Sequence, residues 1–154
     1  MIMTLNDLLT KQNVFTKLAL TSGDKELSKE LKVKLMRIRM AYTKVKKNFD
    51  DEVKEFTEEL LTEEYKTLAN KTDRTEEEET RFNEMTNSIN SEYQEFLIQK
   101  GAEEVELAVD DTFSIDEYSD ILDINSGNEV EINGNKIAAV DFMEVVYDLF
   151  VKED

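Results

Sequence analysis

From Lys25 to Lys71 the chain carries apolar residues at Leu27, Leu31, Leu35, Ile38, Tyr42, Val45, Phe49, Val53, Phe56, Leu60, Tyr65 and Leu68, with no glycine or proline among them. Nearly all the steps are three or four residues, the spacing that returns a side chain to one face of an α-helix. The pattern predicts a single long helix with a buried seam. Two successive steps of four around Phe49 form a stutter, which a continuous or gently bent helix absorbs. At roughly 1.5 Å per residue such a helix is about 70 Å long, whereas a globule of this chain length spans roughly 40 Å. Either the rod breaks near Asn48 to Asp51 or a partner covers its overhang; the stutter favours continuity.

The flanking patterns are shorter. Thr4 to Leu20 reads as an amphipathic helix with Leu5, Leu8, Leu9, Phe15 and Leu18 on one stripe, Thr4 as its cap and Asp7 three residues on. Gly23 is expected to end it and Asp24 to cap the long helix. Thr72, Asp73 and Arg74 form a polar connection. Thr75 followed by Glu76, Glu77 and Glu78 then starts a helix that carries Phe82, Met85, Ile89, Tyr93, Phe96 and Leu97 inward until Gly101. The short link predicts an antiparallel hairpin, the second helix reaching back to about residue 47. Beyond it come a short strand at Val105 to Val109 and a second capping box, Ser114 with Glu117, opening a helix through Ile115, Tyr118, Ile121 and Leu122. A tight hairpin follows, Glu129 to Ile132 and Lys136 to Val140 about Asn133-Gly134. Asp141, with Glu144, is expected to cap a last helix carrying Phe142, Val145, Val146, Leu149 and Phe150. The expected fold is mostly α (α+β): a long antiparallel helical hairpin with a short N-terminal helix, residues 1–100, and a small acidic module, residues 101–154, holding a β-hairpin and two short helices.

Charge changes this picture. The formal net charge is -17, which disfavours direct binding to nucleic acid, where bases must displace counterions from phosphates. Residues 1–100 hold 17 bases and 20 acids, and residues 101–154 hold 2 bases and 16 acids. The long helix is itself bipolar, with eight bases and one acid from Lys29 to Lys47, then eight acids and one base from Asp50 to Glu64. The hairpin partner covers the acidic half. The basic half, with Lys32, Lys34, Arg37, Arg39, Tyr42, Lys44, Lys46 and Lys47 as candidate partner-binding residues, is expected to lie beside residues 101–154 or beside an acidic partner.

Cysteine, histidine, proline and tryptophan are absent. Disulfides, thiolate zinc sites and histidine-based acid–base or metal chemistry are thereby excluded. Asp123, Asn125, Gly127, Glu129 and Glu131 imitate a calcium loop, but the sixth position is Asn128 where glycine is needed and the twelfth is Gly134 where a glutamate should chelate. Glu55 with Glu59, or Glu92 with Glu95, has carboxylate spacing for a two-metal site but lacks the companion histidines. With no phosphate loop and no base to activate a Ser or Thr, the reading is a protein without enzymatic activity or cofactor. No basic segment with an apolar run marks the N-terminus, and no stretch approaches the roughly 20 apolar residues of a membrane span. A soluble intracellular product is expected.

The order of elements, with EFLIQKGAEE at Glu95 to Glu104, EYSDIL at Glu117 to Leu122 and VEINGNKI at Val130 to Ile137, resembles small acidic helical-hairpin proteins of tailed phages. The resemblance lies in order and spacing and includes no chemical motif. It implies a phage product located in the virion, such as a head-to-tail accessory component, or in the host cytoplasm. The function expected is that of a non-enzymatic structural or assembly protein acting through other protein chains, its own copies or other phage structural proteins. The alternative is an acidic inhibitor that mimics nucleic acid and occupies a host defence or transcription protein, with residues 101–154 as the phosphate mimic. A small carboxylate enzyme is a third reading for which no acid stands out.

Overall fold

The structure, a computed structural model, describes residues 1–132 and 134–151, with the surroundings of every side chain among them except those of Gln12, Asn13, Val14 and Ile132. The described chain runs as strand β1 (Ile2–Thr4), helix α1 (Leu5–Lys17), strands β2 (Thr21–Ser22) and β3 (Lys25–Glu26), helices α2 (Lys29–Leu60), α3 (Glu63–Asn70) and α4 (Glu76–Ala102), strand β4 (Glu104–Glu106), helix α5 (Ile115–Asn125), strands β5 (Glu129–Ile132) and β6 (Asn135–Ala138), and helix α6 (Met143–Phe150). The mostly helical fold with small β-hairpins agrees with the expected class. Two compact units result: Met1–Val45 with the chain from Glu104 on, and Lys46–Glu103. The division thus falls inside α2 and not at residue 100, because the first part of α2 shares its core with α1 and with the C-terminal third.

The first unit holds nearly all the fully buried side chains. Leu31, Leu35, Ile38 and Tyr42 of α2 pack with Leu8 and Phe15 of α1, Ile121 and Ile124 of α5, and Met143, Val146 and Phe150 of α6. Each such side chain contributes roughly 1.5–3 kcal/mol on burial. Phe15 stacks on Tyr42 at 5.5 Å and meets Phe150 edge-on at 5.1 Å. Helix α1 starts as expected, with the Asp7 N–H donating to Thr4 Oγ1 at 3.2 Å. It stops at Lys17, short of Gly23. Gly23, at φ 59°, instead serves the turn between β2 and β3, in which Thr21 pairs with Glu26 and Ser22 with Lys25. Asp24 lies in that turn, so the long helix begins at Lys29, with Ser28 Oγ accepting from the Leu31 N–H at 3.2 Å.

Strand β1 pairs antiparallel with β4, Met3 opposite Val105. Of the expected strand Val105 to Val109 only Val105 and Glu106 lie in the ladder; the Val109 N–H then donates to the Leu107 carbonyl at 2.9 Å and turns the chain. Hairpin β5–β6 has the expected register, Ile132 opposite Asn135, with Gly134 at φ 80°; Asn133 lies outside the described residues. Strand β6 ends at Ala138, and Ala139–Phe142 forms a single 3-10 turn before α6. Asp141 sits within that turn, and α6 has no side-chain cap, contrary to the sequence expectation. The Ser114–Glu117 capping box forms in full, with the Ser114 N–H donating to Glu117 Oε2 at 2.9 Å and the Glu117 N–H to Ser114 Oγ at 3.2 Å.

In the second unit α2 passes through Asn48–Asp51 without interruption and ends at Leu60. The single helix expected to Lys71 is therefore two. Thr62 accepts from the Tyr65 N–H at 3.3 Å and starts α3, with Glu63 and Glu64 favoured at its positive end. Helix α4 opens on the expected Thr75–Glu78 capping box and runs antiparallel to its neighbours. Phe82 stacks on Tyr65 at 5.3 Å, Phe96 stacks on Phe56 at 4.1 Å, and Lys100 reaches Glu52 at 2.6 Å. Gly101 does not end α4 but is buried in its last turn. Phe49, Val53, Phe56, Leu60, Phe82, Ile89, Tyr93 and Phe96 are each only half-buried.

Candidate docking surface on the long helix

Within the first unit, the basic part of α2 presents three kinds of surface. Leu31, Leu35, Ile38 and Tyr42 face the core. Tyr42 is fully buried, its hydroxyl has no hydrogen-bond partner among the described residues, and burial pushes its pKa up to about 12. It has no surface to offer a partner.

The bases flanking the core face are bound within the unit. Lys34 Nζ lies 2.9 Å from the Thr112 carbonyl and from both Glu117 oxygens, and 5.8 Å over the Phe113 ring. Burial alone would raise the Glu117 pKa, but its bonds from Lys34 and from the Ser114 N–H outweigh this and hold it below the ordinary carboxylate range. Arg37 bonds Asp111 at 2.8 Å, and Lys32 pairs with Glu26. Arg39 donates to the carbonyls of Phe15 and Leu18, the first of which belongs to the last turn of α1, where helix carbonyls lack partners. Its half-burial lowers the guanidinium pKa. Of the basic half, Lys34 and Arg37 thus lie beside residues 101–154, as the charge pattern predicts, while Arg39 fastens the end of α1.

The third surface faces solvent. Lys29, Val33, Met36, Met40 and Lys44 follow one another at steps of four, three, four and four, on the side of α2 opposite the core. Met36 is 53% and Met40 65% exposed. Lys29 and Lys44 are exposed and make no ion pair among the described residues. Of the candidate set, then, Lys44 alone joins this stripe. Lys46 and Lys47 belong to the second unit, where Lys46 bonds Asp50 at 2.7 Å and Lys47 is exposed without an ion pair among the described residues. Met36 and Met40 escape a reading that follows bases, although their spacing from Lys29 and Lys44 was visible in the chain.

Elsewhere two side chains of the imitation calcium loop are otherwise engaged, Asp123 with Lys25 at 2.8 Å and Asn125 with backbone groups. Among the described residues, no group of three or more Asp or Glu side chains is gathered as a metal site, and no helix is long and apolar enough to cross a membrane. Comparison with protein-family models, with curated proteins and with solved structures finds no match.

Proposed function

We propose that this chain is a non-enzymatic assembly subunit that docks an acidic partner chain on the solvent face of α2. The observation that carries the reading is the pairing of two exposed methionines with two lysines that make no ion pair among the described residues, in a helix whose Lys32, Lys34, Arg37 and Arg39 are bound within the fold. Methionine is enriched at protein interfaces and adapts its shape to what it meets. Rim lysines steer an acidic partner and set its register. An amphipathic helix with acids beside an apolar stripe has the matching chemistry. As part of the same proposal the assembly belongs to a virion or its head-to-tail connection, the setting implied by the resemblance to small acidic proteins of tailed phages.

Affinity capture with the full chain tests it, run beside Met36→Ser/Met40→Ser and Lys29→Glu/Lys44→Glu variants. A bound protein should be lost from both. Removing the two methionines should cost roughly 2 kcal/mol, about thirtyfold in affinity. Capture that both variants leave unchanged would overturn the reading. A second reading, an acidic mimic of nucleic acid, is favoured by the acids of residues 101–154 that make no ion pair among the described residues, such as Asp116 and Asp120 on α5. Its partner would be retained by both α2 variants and shed steeply as salt is raised.

A further inference from the structure

Helix α4, in the second unit, has an unusual distribution of charge. From Phe82 to Gln99 its charged residues are Glu84, Glu92 and Glu95, and at about 3.6 residues per turn these three share one flank. Phe82 and Phe96 stack on the aromatic rings of Tyr65 and Phe56. The remaining flank is made of Asn83, Asn87, Asn90, Gln94 and Ile98. In a chain that is 36% charged, this flank carries no charge for about four turns. All five residues are exposed, Ile98 at 70%. The four amides have no hydrogen-bond partner among the described residues.

We propose that this flank pairs with the same flank of a second copy of the chain, the two α4 helices antiparallel about a two-fold axis near Asn90. A two-fold axis sets a surface against itself, so a face with surplus charge repels its own image. The second unit holds 17 acids and 8 bases; its amide flank is free of that repulsion. Amides donate and accept at once and are therefore self-complementary. The steps from Asn83 to Asn87, Asn90 and Gln94 are four, three and four, the seam spacing of paired helices. An antiparallel arrangement keeps the Glu76–Glu79 quartets of the two copies apart, brings Asn87 to Gln94 of the second copy, and covers Ile98.

The pairing deepens the assembly reading by naming one partner, and it uses a surface separate from the α2 stripe, so the two can fail independently. Light scattering of the full chain over a dilution series should show a dimer that dissociates on dilution. Asn87→Glu/Asn90→Glu places four like charges at the axis and should weaken pairing roughly a hundredfold, while Ser88→Glu on the acidic flank leaves the mass unchanged. Because the chain has no cysteine, Asn90→Cys should give a disulfide-linked dimer on mild oxidation and Asn83→Cys should not. A wild-type chain monomeric at every concentration, a glutamate variant that still pairs, or an Asn90→Cys variant that fails to cross-link would overturn the proposal.

Discussion

Asn125 joins two segments 106 residues apart in the chain. Its Oδ1 accepts from the Ala19 N–H at 2.8 Å, and its Nδ2 donates to the Ala19 carbonyl at 3.2 Å and to the Ile121 carbonyl at 2.9 Å. The side chain is completely buried and serves the backbone after Leu18 as a neighbouring strand would. Asn125→Ala leaves both polar groups of Ala19 without this partner and should cost roughly 3 kcal/mol in equilibrium denaturation. In the sequence Asn125 stands out only within a calcium-like loop that its own spacing rules out, because a buried amide and a solvated one look the same in a string of letters. Tyr42 is the opposite case, a buried hydroxyl without a partner among the described residues. Tyr42→Phe should raise stability by roughly 1 kcal/mol. Since folding raises its pKa to about 12 from an unfolded value near 10, the wild-type chain binds this proton more tightly when folded. It should lose stability as pH rises from about 10 to 12, and the phenylalanine variant should show less of that loss in an alkaline denaturation series.

Helix starts were legible wherever a hydroxyl and a glutamate stood three residues apart: both predicted boxes, at Thr75 and Ser114, form as complete reciprocal pairs. The start at Thr62 was missed because Tyr65 occupies the place of the glutamate, and because the seam seemed to run on. The signal was the step of five from Leu60 to Tyr65, too long for one helix face. Strand β1 could not have been read, since its partner β4 lies a hundred residues away and three residues carry no period. At the start of α5 the capping carboxylate also holds Lys34, and this gives a pH dependence. The Glu117 pKa is depressed in the folded chain, so its stabilisation is present at neutral pH, above the unfolded carboxylate value, and is lost as pH falls through the folded one. Glu117→Gln keeps a capping group but not the ion pair. It should lower stability by about 1 kcal/mol at neutral pH and flatten the acid limb of a denaturation series.

The two units differ in how deeply they bury their seams. The first encloses its large side chains; in the second, Leu68 is the one buried apolar side chain among the described residues. A thin hairpin of half-buried rings opens at lower free energy than a closed core. Hydrogen exchange should therefore show a gradient within one unbroken helix, α2 amides near Leu35 and Ile38 protected by orders of magnitude more than those near Val53 and Phe56. Equal protection along its length would mean that the seam is covered by something further. A second copy on α4 would raise protection in the second unit with concentration.

The first unit is assembled from both ends of the described chain, with Phe15 waiting for Phe150 and β1 for β4. On a ribosome, where residues emerge at roughly 5–20 per second, the newborn α1 goes without its full packing for on the order of ten seconds. The helices between Lys46 and Glu103 leave the exit tunnel well before that packing is complete. The nascent protein thus shows its greasiest faces while it is being made, and its yield in a cell should depend on chaperones that shield α1 until α6 has emerged.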